Sequence, residues 1–192
     1  DEGADFRNYT YAKYGRVILN QPKQMCWQVF DNKIIPTLRD EYRIRQVTKV
    51  RADTLEALAE KLEGVHTETF LREIQAYNAA VRIEVDYNPN ILDGRCTEGL
   101  PINKSNWANR LDEPPFEAYQ TTCGITFTFG GLKIDENARV IGTDWRPING
   151  LYACGEMVGG LFHFNYPGGT GLVSGAVFGK IAGASAAQHA KA

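Results

Sequence analysis

The 192-residue sequence has few of the residue types that build metal centres. It holds four cysteines and three histidines, and no two cysteines have the C-x-x-C spacing. Zinc and iron–sulfur sites depend on clusters of these side chains. We therefore expect no metal site. This number and spacing of cysteines also fits a reducing compartment, so we expect a cytoplasmic protein.

The sequence also lacks an excess of one charge and a long apolar run. Its 21 basic and 23 acidic side chains give a net charge of −2. A surface for nucleic acid needs a basic excess, so we expect no nucleic acid partner. The apolar stretch near the C-terminus is interrupted by Ser174, Lys180 and Ser185. It is shorter than the ~20 residues of a membrane span, which excludes that interpretation.

Two phosphate-binding fingerprints are missing as well. No G-x-G-x-x-G occurs anywhere in the chain, and Gly179-Lys180 is followed by Ile181 rather than by Ser or Thr. The first absence argues against a complete dinucleotide fold and the second against a Walker loop. The chain begins DEGADF, without methionine, and we expect it to be a piece of a longer protein.

Glycine, in contrast, is abundant in the stretch NYPGGTGLVSGAVFGKIAG, residues 165–183. Four glycines recur every four residues and so share one helix face: Gly171, Gly175, Gly179 and Gly183. Each costs about 0.5–1 kcal/mol relative to alanine, so we expect a backbone or a flat ligand to pack closely on this face. The preceding loop and the free N–H groups of the first turn predict a site for an anion or a polar acceptor. Tight packing alone is the alternative.

The apolar pattern before residue 118 predicts helices and loops. Residues 1 to about 50 show no clean period and predict short helices and loops. Two segments then have amphipathic helical spacing. The first, ADTLEALAEKLEGV, is capped by Asp53 or Thr54 and ended by Gly64, and the second, HTETFLREIQAYNAAVRI, is capped by Thr67. A polar loop rich in Asn, Gly and Pro follows from Asp86 to Pro115.

From about Ala118 the pattern favours β-structure. The segments ITFTFGGLKID and ARVIG predict a hairpin, and Leu151 to Cys154 predicts a short buried strand. The glycine-rich loop and a terminal helix complete this region. The predicted fold class is α+β, with one domain over 1–117 and another over 118–192.

Several motifs resemble the fumarate reductase/succinate dehydrogenase flavoprotein family. They are the GG turn of TFTFGGLKID, the segment GLYACGE and the glycine loop that opens a glycine-rich helix. The match is close from about Pro114 to Ala184. The preceding helical stretch, with its PPFEAY link, resembles the capping domain of the family. The sequence is also similar to tricarballylate dehydrogenases in two segments, DEGADFRNYTYAKYGR and LFHFNYPGGTGLVSGAVFG.

The resemblance implies that 1–117 is a capping (substrate) domain with its linker, and that 118–192 is the C-terminal part of an FAD-binding domain. It implies that Gly155 and Glu156 approach FAD, the glutamate at the ribityl hydroxyls. The resemblance also implies that five consecutive residues contact the isoalloxazine edge: Gly169, Thr170, Gly171, Leu172 and Val173. Because the dinucleotide fingerprint is missing, we expect its domain to lie upstream and this piece alone to hold little FAD.

The chain departs from the family pattern where substrate binds. Phe162 and Tyr166 stand where fumarate reductases have a histidine and an arginine, and Thr126 and Phe127 replace a histidine pair. Counting back from Pro115 puts Lys104 at the place of a proton-shuttling arginine. The resemblance thus suggests three catalytic candidates, Tyr166, Lys104 and His163, and two substrate-binding candidates, Thr126 and Arg110. A solvated lysine, a packed histidine and a surface arginine are the alternatives for Lys104, His163 and Arg110.

The function implied is FAD-dependent dehydrogenation of a small polycarboxylate, with tricarballylate oxidised to cis-aconitate. The resemblance also implies an iron–sulfur membrane partner that takes the electrons. One alternative is another fumarate reductase-like or ketosteroid dehydrogenase-like flavoprotein. A non-catalytic module that keeps only the scaffold is a second.

Overall fold

The computed structural model describes residues 1 and 3–191, with the backbone alone for 7–12. The described chain divides into two compact units. The first unit comprises Asp1–Phe6 and Val17–Cys123, and the second comprises Arg7–Arg16 and Gly124–Ala192. The mixture of helices and antiparallel strands confirms the α+β class. The assignment of 1–117 and 118–192 to functional domains stays a prediction.

Nine helices and strands occur in the described residues. They are α1 (Arg7–Leu19), β1 (Met25–Phe30), β2 (Lys49–Ala52), α2 (Leu55–Ala59), α3 (Thr67–Ala80), β3 (Phe116–Thr122), β4 (Arg139–Ile141), β5 (Pro147–Tyr152) and α4 (Thr170–His189). Short 3-10 turns lie at Pro22–Gln24, Ile35–Thr37, Asp40–Arg43 and Gly155–Met157.

The first unit is built on an antiparallel sheet in the order β1-β3-β2. The expectation of only short helices and loops up to residue 50 was therefore wrong. One sheet face carries Val29, Val50 and Ala118, which pack with the fully buried Leu58 of α2 into the core. The strands were missed because MCWQVF places apolar residues on both faces, which weakens the period-2 signal.

The opposite face of this sheet is polar but also buried. Glu117 and Tyr119 lie there two residues apart, both almost fully buried, and the Tyr119 hydroxyl donates to the Glu117 carboxylate. The Lys49 ammonium lies 3.4 Å from the same carboxylate, and this ion pair compensates the buried negative charge of Glu117. Burial and the Glu117 carboxylate raise the pKa of Tyr119. The central strand β3 therefore buries side chains on both faces of the sheet.

The two helices of the first unit begin with side-chain caps. The Thr54 hydroxyl accepts from the Ala57 N–H at 3.1 Å, one of the two caps predicted for α2. This helix ends at Ala59 rather than near Gly64, because the following N–H groups bond three residues back instead of four. At α3 the cap is His66, whose Nδ1 accepts from the Thr69 N–H at 3.3 Å, and not Thr67 as predicted.

Residues 86–115 form neither helix nor strand, apart from one bridge between Thr97 and Val81, so the predicted loop is confirmed. A buried carboxylate fastens its end. Asp31, just after β1, accepts from the N–H groups of Asp112 and Glu113 at 3.2 and 3.3 Å. The Lys33 ammonium bridges Asp31 and Asp112, and these contacts raise the pKa of Lys33 against its partial desolvation. We call this group, Asp31, Lys33, Asp112 and Glu113, the Asp31 clasp.

The second unit contains the β4–β5 pair and α4. Its small core comprises Val140, Ala153 and Val158, with Ile134 against it. The predicted hairpin of ITFTFGGLKID with ARVIG is confirmed only in part. ARVIG contains β4, and Ile134 forms an antiparallel bridge to Val140, but the rest of ITFTFGGLKID is not a strand and makes one isolated bridge, from Leu132 to Val158. A strand needs a neighbour for its backbone groups, and residues 125–129 pair with no strand in the described part of the chain.

The predicted buried strand over Leu151–Cys154 also needs correction. The strand is β5, Pro147–Tyr152, and its residues 147–151 are exposed. The apolar residues of the segment LYAC suggested a buried strand, but Ala153 and Cys154 lie after the end of β5. The terminal helix, in contrast, is confirmed as the 20-residue α4. No helix in the described residues is long and apolar enough to cross a membrane.

Candidate functional site

The turn at Gly155 lies against the glycine face of α4. A Cβ on Gly175 would be 3.7 Å from the Gly155 Cα, and one on Gly179 would be 3.8 Å from the Cys154 Sγ. Gly155 itself has a φ of +80°, a conformation that glycine adopts without strain. The structure thus brings together two of the sequence segments predicted to bind FAD, the Gly155-Glu156 turn and α4.

The start of α4 offers hydrogen-bond donors. Gly169 precedes the helix with a φ of +88°, and the Thr170 hydroxyl donates to the Pro167 carbonyl at 2.7 Å. The N–H groups of Gly171 and Leu172 have no acceptor among the described residues. The Leu172 side chain is 84% exposed and that of Val173 is 61% exposed. These donors, at the positive end of a long helix, fit a polar acceptor on a flat ligand.

Glu156 is held by the segment that precedes β4. Its Oε1 accepts from the Thr128 N–H at 3.0 Å, and the Thr128 hydroxyl donates to the Glu156 carbonyl at 3.4 Å. The Oε2 atom accepts no hydrogen bond from the described residues. An exposed carboxylate with one fixed oxygen and one available oxygen fits the hydroxyl groups of a ribityl chain.

Four aromatic rings pack together in the second unit. Tyr166 is 7% exposed, and its ring centroid lies 4.7 Å from that of Phe127, 6.0 Å from Phe129 and 5.9 Å from Phe162. We call these four residues the aromatic cluster. A Cβ on Gly171 would approach the Phe127 ring to 2.7 Å. At the first position of the stripe, glycine is therefore required for packing against this cluster. At Gly183 a Cβ would meet nothing within 4 Å, so close packing does not account for the whole stripe.

A short turn projects from the aromatic cluster between Phe162 and Tyr166. The Asn165 N–H donates to the His163 carbonyl at 2.7 Å, and Phe164 between them has a φ of +58°. Such a conformation is uncommon for a bulky residue. His163 is exposed, and its ring lies 4.1 Å from the Phe164 ring. We call residues 163–165 the strained turn.

The remaining predicted substrate residues are divided between the units. Thr126 is exposed in the second unit. Lys104 lies half-buried in the first unit, where its N–H donates to the Thr97 hydroxyl at 2.8 Å. Arg110, also in the first unit, donates from Nε to the Asn78 carbonyl at 2.9 Å. The roles given to Tyr166, Lys104, His163, Thr126 and Arg110 stay predictions.

Sequence reasoning missed two contributors to this region. It took Phe127 and Phe129 for strand residues, although the alternation of TFTF also puts both rings on one side. It gave no role to Arg16, whose guanidinium carbon lies 4.7 Å from the centre of the Phe164 ring. No local signal marks Arg16, because it is about 150 residues away from Phe164 in the sequence.

Two curated relatives are similar to this chain over much of its length. NADH:acrylate oxidoreductase of Vibrio harveyi is 39% identical over 148 residues, which are 77% of this chain and 13% of the relative. The probable fumarate reductase Ifc3 of Shewanella frigidimarina (strain NCIMB 400) is 31% identical over 184 residues, 94% of this chain and 29% of the relative. The chain thus spans less than a third of either relative.

Two solved structures share the fold. An open conformation of a flavocytochrome c3 fumarate reductase has a TM-score of 0.67 at 29% identity, and the match covers 93% of this chain and 29% of that one. A 3-ketosteroid Δ1-dehydrogenase from Sterolibacterium denitrificans has a TM-score of 0.65 at 26% identity, with 93% and 36% covered. Both likenesses agree with the mixed architecture of helices and strands.

The family model of the FAD binding domain matches residues 1–173. This range includes the Gly155-Glu156 turn, the strained turn and the first residues of α4, which fit FAD by their donors and their close backbone approach. The chain belongs to the FAD binding domain family of flavoproteins, and its cofactor is FAD.

Proposed function

We propose that the flavoprotein containing this chain is an oxidoreductase that acts on a small polycarboxylate, and specifically that it oxidises tricarballylate to cis-aconitate. The observation that carries the proposal is the strained turn, which exposes His163 five residues before Gly168, where the glycine loop of α4 begins. A polar, titratable group next to the predicted flavin segment suits an anionic substrate. The names of relatives that act on acrylate and fumarate support a short carboxylate.

The residues that would contact FAD have separate roles. The N–H groups of Gly171 and Leu172 would stabilise negative charge on the flavin ring, and Glu156 would hold the ribityl hydroxyls. FAD supplies a hydride acceptor when it is bound. Gly155, Gly169, Thr170 and Val173 shape the backbone that approaches it.

The proposed substrate chemistry is loss of a proton from one carbon and of a hydride from its neighbour, which leaves a carbon–carbon double bond. Lys104 would carry the proton, because a positioned lysine amine can act as a general acid or base. His163 and Arg110 would bind carboxylates, and Thr126 and Tyr166 would donate hydroxyl hydrogen bonds to the substrate. Tyr166 owes its fixed position to the aromatic cluster.

The surroundings of the reaction are part of the same proposal. Electrons would leave to a separate iron–sulfur partner at the membrane. The four cysteines are unpaired, at Cys26, Cys96, Cys123 and Cys154, which supports a reducing setting such as the cytoplasm.

A ketosteroid dehydrogenase-like activity is the second candidate. The aromatic cluster favours it, because four packed rings give this part of the second unit an apolar character that suits a steroid. The solved ketosteroid dehydrogenase with the same fold supports the comparison. A non-catalytic scaffold is the third possibility, and it predicts a protein without flavin.

Substrate profiling of the flavoprotein that contains this chain tests these candidates. Flavin content is read from the absorbance of the purified protein, and kcat/KM is measured with an artificial electron acceptor. The substrates are tricarballylate, succinate and a 3-ketosteroid, with fumarate tested for reduction. Highest kcat/KM for tricarballylate is expected. Preference for the steroid would overturn the polycarboxylate proposal, and a colourless, inactive protein would favour the scaffold.

A further inference from the structure

Arg16 has an unusual partner for a cation. It lies in the C-terminal half of α1, exposed, and its guanidinium carbon is 4.7 Å from the centre of the Phe164 ring. No carboxylate in the described residues pairs with it. Arg139, a cation of the same unit, instead binds Asp135 at 2.7 Å and is neutralised there. Arg16 therefore carries a positive charge that the described residues leave uncompensated.

The partner of Arg16 is itself held in an uncommon conformation. Phe164 has a φ of +58° and is 60% exposed, at the tip of the strained turn. Backbone strain of this kind persists only where the surrounding structure holds it. Here the flanking residues Phe162 and Tyr166 are anchored in the aromatic cluster. The strained turn thus presents the Phe164 ring to the guanidinium on one side and to His163 on the other.

A guanidinium that lies on an aromatic ring is oriented without losing its donors. The ring attracts the cation, while the N–H groups point outward in the guanidinium plane. Such an arginine can bind a carboxylate with two parallel hydrogen bonds, a geometry that a lysine cannot reproduce. The residues 162–166 contain neither Lys nor Arg, so a carboxylate at this turn needs a cation from elsewhere in the chain.

We propose that Arg16, oriented by Phe164, binds a carboxylate of the substrate and determines specificity for polycarboxylates. This inference rests on the proposed function. The substrate would then bind between two groups, the Arg16 guanidinium and the exposed His163 ring, both fixed by contacts to Phe164. The assignment makes a residue of α1 part of the substrate site of the second unit, to which Arg7–Arg16 belongs.

The test uses the complete flavoprotein with the variants Arg16→Met, Arg16→Lys and Phe164→Leu. Arg146→Met is the matched control, because Arg146 is an exposed arginine of the same unit in the turn between β4 and β5. A lost hydrogen bond to a charged group predicts that Arg16→Met raises KM for tricarballylate about 10- to 100-fold, with kcat changed less than about threefold. Arg16→Lys should recover part of the affinity, and Phe164→Leu should raise KM by a smaller factor.

Titration of the oxidised flavin absorbance with cis-aconitate, the proposed product, gives a Kd separately from turnover because the product cannot reduce the flavin, and Arg16→Met should raise this Kd by about the same factor as KM. Unchanged KM and Kd in Arg16→Met, with the wild type active on polycarboxylates, would overturn the inference and leave the proposed function standing. A fall in kcat alone would also overturn it, because that result describes a structural role. A wild type inactive on every carboxylate refutes the proposed function instead. Arg16→Gln, checked for flavin content and circular dichroism, replaces Arg16→Met should that protein not fold.

Discussion

The two units differ in how they use their apolar residues. In the first unit the Leu58 core packs on one face of the sheet, and the Glu117 and Tyr119 side chains are buried on the other face. In the second unit the core comprises only a few side chains, and large apolar groups such as Ile125, Leu172 and Val173 are exposed. Backbone donors at the start of α4 are exposed as well. The first unit is therefore stabilised mainly by its own core, whereas the second leaves apolar side chains and backbone donors on its surface, where FAD can contact them.

The strongest test of this comparison is Leu58→Ala. Leu58 is 0% exposed at the centre of the first core, and deletion of a buried leucine side chain leaves a cavity. We expect the free energy of unfolding of the first unit to fall by about 3–5 kcal/mol, measured by urea denaturation with circular dichroism. Leu172→Ala, in the second unit, should change the stability of the flavin-free chain by less than about 0.5 kcal/mol. Equal effects of the two variants would contradict the comparison.

We expect the rate of catalysis to depend on Lys104, a side chain of the first unit. If Lys104 carries the proton, Lys104→Met lowers kcat of the full flavoprotein about 100-fold or more, since general acid–base groups contribute on that scale. KM should remain nearly unchanged, and added small amines should restore part of the rate. Lys23→Met, an exposed lysine paired with Glu63, is the control and should keep full activity. A kcat within about twofold of the wild type in Lys104→Met would disprove the assignment.

The second unit also depends on close backbone approach, and Gly131→Ala tests it. A Cβ at this position would lie 2.3 Å from the Met157 carbonyl oxygen, and φ is +156°. Overpacking of this kind predicts a loss of about 1–3 kcal/mol in the stability of the second unit. Gly124→Ala, where a Cβ meets nothing within 4 Å, serves as the control. Thermal melting of both variants distinguishes the cases, and similar melting temperatures would refute the role of Gly131.

Flavin affinity should depend on Glu156. Its replacement in Glu156→Ala removes the carboxylate that also holds the Thr128 N–H. We expect the Kd for FAD to rise about 10-fold, which corresponds to one hydrogen bond, with the chemical step little affected. Fluorescence titration of the flavin-free protein measures the change. Glu136→Ala, an exposed glutamate of the same unit, provides the comparison, and an unchanged affinity in Glu156→Ala would exclude the ribityl contact.

The smallest expected effect is at the end of the glycine stripe. Gly183→Ala adds a methyl group where nothing lies within 4 Å. Because alanine has a lower entropic cost in a helix, we expect a gain of about 0.5–1 kcal/mol in the stability of the isolated chain. Chemical denaturation measures it. A loss of stability would indicate that a group packs on this part of α4 in the folded chain.

Features set by local sequence could be predicted, and features set by distant contacts could not. The helices α3 and α4 follow from apolar spacing and from the glycine loop, which are properties of neighbouring residues. Strands β1 and β2 depend on pairing with β3, whose residues lie far along the chain. Apolar and polar residues alternate only weakly within β1 and β2. For the same reason the local sequence pointed to the glycine loop but not to Arg16, whose contact is with the distant Phe164. Gly155 and Glu156 were implied by the family resemblance.

The Asp31 clasp has a consequence for how this protein tolerates change. Its hydrogen bond from the Asp112 N–H joins residues that are 81 positions apart along the chain. It fastens the far end of the 86–115 loop beside the end of β1, where β3 begins. Loop-closure entropy grows slowly with length, by about 0.6 kcal/mol for each doubling. We therefore expect changes of length in the exposed parts of this loop to leave the pairing of β1 with β3 intact, whereas the buried Thr97, Asn106 and Ala108 limit change elsewhere in it.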